Sequence, residues 1–88
     1  MKITSSTHFD NQYIKIVKKK PGVKTLLEGT IMLLGESMRA PSLSVHKLSG
    51  RLNGYWAFSL AHDLRVIFEW KNDKITLVNI GTHDEIYR

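Results

Sequence analysis

The apolar residues of this chain change their spacing once, and that change divides the architecture into two kinds of element. Phe9, Tyr13, Ile16 and Val17 recur at helical spacing, with Ser5, Ser6 and Thr7 available as N-caps for a helix running toward Lys20. Pro21-Gly22 breaks that helix, and Val23, Leu26, Leu27, Ile31 and Leu34 form a second helical stripe that fades between Gly35 and Ala40. From Leu48 onward the period is two. Trp56, Phe58 and Leu60 alternate with Tyr55, Ala57 and Ser59, and Val66, Phe68 and Trp70 alternate with Arg65, Ile67 and Glu69. Asn72-Asp73 fits a two-residue hairpin turn leading to a last strand from Lys74 to Ile80, and Lys2 to Ser5 reads as a short first strand. The expectation is an α+β fold: an N-terminal strand and a helical hairpin packed on a twisted antiparallel sheet. The opposite sheet face is expected to be concave and open, the place for ligand chemistry.

Eighty-eight residues suffice for one core, so residues 1–88 are read as a single domain with no linker or repeat. The chain holds no cysteine, which removes disulfides, thiol nucleophiles and sulfur-ligated zinc from consideration. A core this small without covalent staples gains from a permanent partner. No apolar run approaches the ~20 residues that cross a bilayer, and Met1-Lys2-Ile3-Thr4 does not open a signal peptide, so a cytoplasmic protein without membrane contact is expected. A net charge of +5 points to an acidic partner, either RNA or an acidic protein segment. Lys18-Lys19-Lys20 needs no ligand, because cations suit the exposed C-terminal end of a helix.

Chemistry concentrates in the second half. Cleaving RNA without a metal needs one group to take the 2′-hydroxyl proton, another to protonate the departing 5′-oxygen, and a cation for the phosphoryl oxygens. Histidine suits both proton transfers, and the arginine fork matches phosphate. His46 and His83 bracket the sheet region, Arg65 lies on a middle strand, and Asp63 or Tyr87 is placed to orient an imidazole or supply a proton. Each has a plainer role beside this one. Asp63 could cap a tight turn, Arg65 could be a solvent-facing strand residue, and Tyr87 could pack on the core. His8, just after the helix cap, is read as a surface residue, and His62 as a turn residue. No His-Glu-x-x-His spacing announces a metal, no Gly-rich loop precedes a helix, and no cofactor is expected.

These residues resemble a known family. His46-x-Leu48-x-Gly50-x-x-x-Gly54-Tyr55, the Asp63-x-Arg65 step and the ending Gly81-Thr82-His83 through Tyr87 are similar to the RelE/ParE superfamily of toxins from bacterial type II toxin–antitoxin pairs. The nearest branch by these motifs is that of the YafQ-type mRNA interferases, and the resemblance spans nearly the whole chain. It implies a RelE-like fold and a ribosome-dependent mRNA endonuclease held inactive by a cognate antitoxin, the complex binding operator DNA through the antitoxin. By position it implies that His46 and His83 are catalytic histidines and Asp63 the catalytic carboxylate. It further implies that Arg65 acts on the scissile phosphate and that Tyr87 stacks on or orients the RNA. Lys47 and Arg51, beside the His46 loop, are expected to hold phosphates of mRNA or ribosomal RNA.

One departure stands out. Where YafQ-type toxins carry a further histidine before the carboxylate, this chain has Ser59, with His62 three residues on. Either the proton-transfer network is thinner here or His62 substitutes from another position. Two other functions compete: a ParE-like inhibitor of gyrase, and a degenerate toxin serving only as corepressor with its antitoxin. The histidine pair favours the nuclease.

Overall fold

Helix α1 (Thr7–Lys19) begins where Ser6 leaves the extended conformation, and the Ser6 Oγ accepts the Phe9 amide at 3.1 Å. Ser5 Oγ donates to Asp10 Oδ1 at 2.6 Å, which secures an acidic side chain in the first turn, where the helix dipole favours it. Pro21 lacks an amide hydrogen and has φ −57°, so it ends α1 and starts α2 (Gly22–Glu36). The structure, a computed structural model, describes residues 1–87. Its strands are β1 (Lys2–Ser5), β2 (His46–Lys47), β3 (Trp56–Ala61), β4 (Leu64–Lys71) and β5 (Lys74–Gly81), followed by a short helix α3 (His83–Tyr87). None of the described helices is long and apolar enough to cross a membrane.

The period-two segments pack as their alternation requires. Phe58, Leu60, Val66 and Phe68 project from β3 and β4 to meet Phe9, Val23, Leu27 and Leu34 of the helical hairpin. The Phe58 and Phe68 rings lie 5.7 Å apart, and Trp56 and Trp70 meet edge to face at 5.0 Å. Full burial of a side chain such as Phe58 or Phe68 contributes about 1.5–3 kcal/mol. The β4–β5 hairpin turns at Asn72, whose φ of 53° lies in the left-handed region that asparagine tolerates.

Three features depart from expectation. First, the sheet is mixed rather than wholly antiparallel: its order is β1-β5-β4-β3-β2, and β1 runs parallel to β5, Ile3 opposite Ile75. The helical hairpin carries the chain over the sheet and returns it, and parallel neighbours need such a crossover. Second, Leu26 is 42% exposed, because the α2 contact runs through Val23, Leu27 and Leu34. Third, the far face is only partly open. Ile86 of α3 covers Ala57 and Ile67, and Leu48, Leu52, Tyr55, Val78 and Tyr87 close around them.

Tyr13, half-buried and stacked on Phe9 at 5.9 Å, has its hydroxyl pKa raised by burial and by the Glu28 carboxylate. A raised pKa means that the folded state holds the phenolic proton more tightly than the unfolded chain. This contribution to stability is complete below the unfolded value near 10 and is lost as pH rises through the folded one. Tyr13→Phe is therefore expected to flatten the alkaline decline of the urea midpoint above about pH 10. Curves of equal slope in the two chains would show that Tyr13 does not carry it.

Candidate active site

β4 is the middle strand of the meander, and its residues alternate between the helix-covered face and the far face. Arg65 lies on the far face, across from Ser59 of β3 and Gly81 of β5. Its Nη1 donates to the carbonyls of Ala61 and His62, each at 3.3 Å. The guanidinium is thereby tied to the backbone of the β3–β4 turn.

His46 reaches the same face from the sheet edge. β2 pairs with β3 so that His46 stands opposite Ala57, and Ala57 opposite Ile67 of β4. The His46 Nδ1 lies 2.8 Å from the Ser44 carbonyl oxygen. A carbonyl can only accept, so in this bond Nδ1 carries the hydrogen and the neutral ring keeps its lone pair on Nε2. Ser44 has φ 52°, a left-handed conformation unusual for serine, and this aims its carbonyl at the ring.

The third group comes from the C-terminal end of the described chain. β5 ends at Gly81, and Thr82 starts α3, whose first residue is His83. One turn on, the Tyr87 ring lies 4.6 Å from the His83 imidazole, the planes inclined by 47°. The His83 Nδ1 is 3.8 Å from Asp84 Oδ1, both side chains well exposed.

His46, Arg65, His83 and Tyr87 line one open hollow of about 460 Å³, together with Lys47, Leu48 and Ser49. That volume falls within the range of small-ligand sites. Among the described residues the lining holds two imidazoles, a guanidinium, an ammonium-bearing side chain and a phenol, and no carboxylate. Such a set suits an anion with protons to give and take. Among the described residues, no three histidine, aspartate or glutamate side chains gather in a geometry that could hold a metal ion.

Other expected residues sit elsewhere. Asp63 does not join the hollow: it occupies the exposed two-residue turn between β3 and β4, beyond the end of the ladder. There it lines a second hollow with His62, Ile16, Val23 and Leu64. His62 likewise lines that second hollow, whereas Ser59 occupies the position across from Arg65. Lys47 alternates to the other face from His46 and holds its Nζ 5.2 Å from the Trp56 ring, so only part of it borders the hollow. Arg51 is exposed on the single turn Gly50–Leu52 and lies outside the lining. His8 is exposed as expected, at the margin of a small recess beside Tyr55 and Ile86. Sequence reasoning named Leu48 only as a motif position and did not single out Ser49. Only their position between His46 and the adjoining turn signalled them.

A family model described as the bacterial toxin of type II toxin–antitoxin system, YafQ, matches residues 1–88. The chain belongs to this family. Solved structures agree with the assignment. A metal-bound toxin from Helicobacter pylori superposes on this YafQ-family chain with a TM-score of 0.82 at 29% identity, covering 98% of each chain. YafQ from E. coli strain BL21(DE3) gives 0.82 at 18% identity, over 98% of this chain and 97% of that one. The toxin in the E. coli DinJ–YafQ toxin–antitoxin complex gives 0.80 at 20% identity, over 98% and 96%. At such identities the two E. coli structures bear on the fold alone, which this chain shares with them. No curated protein matches this YafQ-family sequence.

Proposed function

We propose that this YafQ-family chain is a metal-independent endoribonuclease that cuts mRNA on the ribosome, in the cytoplasm, and is neutralised by a cognate antitoxin. The observation that carries the reading is the convergence of His46, Arg65, His83 and Tyr87 on one hollow from three separate parts of the chain. The antitoxin partner is supported by family membership and by the DinJ–YafQ complex among structures of the same fold. Operator binding is assigned to the toxin–antitoxin complex, through the antitoxin.

In this mechanism the 2′-oxygen attacks the adjacent phosphorus in line with the departing 5′-oxygen. His46 Nε2, left with its lone pair by the Ser44 contact, takes the 2′-hydroxyl proton. Arg65 faces the non-bridging oxygens and offsets their growing charge. His83 gives its proton to the 5′-oxygen as the P–O5′ bond breaks, and Tyr87 holds the His83 ring in place. The products are a 2′,3′-cyclic phosphate and a 5′-hydroxyl. Lys47 at the rim and Arg51 on the adjoining turn are assigned to backbone phosphates, where each gives affinity that weakens with salt. Asp63 takes no proton in this scheme, since it lines a different hollow.

Inducing the wild-type chain and mapping RNA 5′ ends tests the reading. New 5′-hydroxyl ends at fixed positions within codons are expected, and co-expression of the antitoxin should remove them. DNA damage without new RNA ends would instead indicate a gyrase inhibitor. Neither phenotype would indicate a corepressor.

A further inference from the structure

Helix α3 is a wall between the two hollows: His83 and Tyr87 face the one assigned to catalysis, while Thr82 and Glu85 line the other. A helix of five residues is far below the length that sustains itself in water, so something outside its own hydrogen bonds must hold it. Two bonds do so reciprocally. The Thr82 amide donates to Glu85 Oε1 at 2.8 Å, and the Glu85 amide donates to Thr82 Oγ1 at 3.2 Å. This is a capping box, Thr-x-x-Glu, which satisfies two amides that the first turn would leave without partners.

Gly81 is shaped to the same device. A Cβ at this position would lie 3.1 Å from Glu85 Oε1 and 3.4 Å from Glu85 Cβ, so any larger residue would press on the carboxylate arm and require it to shift by a few tenths of an ångström. Ile86 anchors the far end of the helix, buried against Ala57 and Ile67. His83 lies between the two attachments, as the first helical residue, with its ring 64% exposed and backed by Tyr87.

We propose that Glu85, with Thr82, is a positioning residue: the capping box sets the start of α3 and thereby aims the His83 imidazole into the hollow. The inference rests on the nuclease reading for its consequence in rate, and its geometric content stands apart from it. Glu85 does not line the catalytic hollow, so it acts through His83 and not on the RNA. Losing the box lets α3 fray at its first turn, and a catalytic group displaced by about 1 Å loses on the order of 10² in rate.

Two substitutions separate this role from a role for charge. Glu85→Gln keeps a side-chain oxygen at the third helical position, where glutamine also completes a capping box, but removes the carboxylate. Glu85→Ala removes both. In a reconstituted cleavage reaction, Glu85→Ala is expected to lower kcat by roughly 10–10² with KM unchanged. Glu85→Gln is expected to restore kcat to within a few-fold of wild type. In NMR spectra of the same proteins, the His83 ring resonances should lose their ring-current displacement by Tyr87 in Glu85→Ala and keep it in Glu85→Gln, while the core methyl signals stay in place in both.

A glutamine variant as impaired as the alanine one, or His83 signals unmoved in Glu85→Ala, would overturn the proposal. If the wild-type chain cuts no RNA, the nuclease reading fails, and the NMR comparison still decides whether the box positions His83.

Discussion

His46→Ala is expected to cleave RNA about 10²–10⁴-fold more slowly than the wild type, and His83→Ala to lose a similar factor, with both proteins folded as before. The size follows from what the proposed mechanism would lose: a proton acceptor or donor in place beside the reacting oxygens, which water at the same point replaces poorly. The fold should survive because both side chains are exposed, one on a two-residue edge strand and the other at the start of a short helix. Neither contributes to the cluster centred on Phe58 and Phe68. Single-turnover cleavage with circular dichroism as the fold control measures the effect. The division of labour has its own signature, because a base must be unprotonated and an acid protonated. The bell-shaped pH dependence should lose its acidic limb in His46→Ala and its alkaline limb in His83→Ala. Proteins that remain fully toxic and still cut mRNA would show that the site lies elsewhere.

Arg65→Ala should cost a further large factor, on the order of 10²–10³ in kcat, the range seen when a group stabilising transition-state charge is removed. Two contributions combine here. In the proposed mechanism the guanidinium supplies the positive charge facing the phosphoryl oxygens. Its bonds to the Ala61 and His62 carbonyls also hold that charge where it is needed, in place of a long side chain free to rotate. Arg65→Lys separates them, since lysine retains a cation but lacks the planar fork that can hold the turn and face phosphate together. Lysine is expected to recover a minor part of the loss. Full recovery would mean that Arg65 contributes charge alone, and no loss in alanine would remove it from the mechanism. Arg65 is only partly exposed and stands on a central strand, so urea midpoints of all three proteins should accompany the rates.

Some of the groups lining the candidate hollow could be named from the sequence, but not their arrangement. The alternation of β4 already put Arg65 on the side away from Val66 and Phe68, and the structure keeps it there. The same reasoning carried to Asp63 fails, because strand alternation ends where the turn begins. A residue two positions before Arg65 is no longer on its face once the chain has left the ladder. Lys47 shows the converse. It neighbours His46 in sequence, yet a period of two sends it toward Trp56 on the other side.

Local spacing alone determined the helical hairpin, its break at Pro21, the meander and its turn at Asn72-Asp73, because each depends on residues within a few positions of one another. Pairing β1 in parallel with β5 was decided by tertiary structure, since the partners Ile3 and Ile75 lie at opposite ends of the chain and nothing local distinguishes a parallel neighbour from an antiparallel one. Helix α3 needed it too: five residues do not form a helix by propensity, only by capping through Thr82 and Glu85 and by burial of Ile86 against the sheet. That docking brings His83 round to the hollow His46 enters from the opposite edge. A sequence can name two imidazoles, but only a folded sheet with a covered end brings them to one cavity.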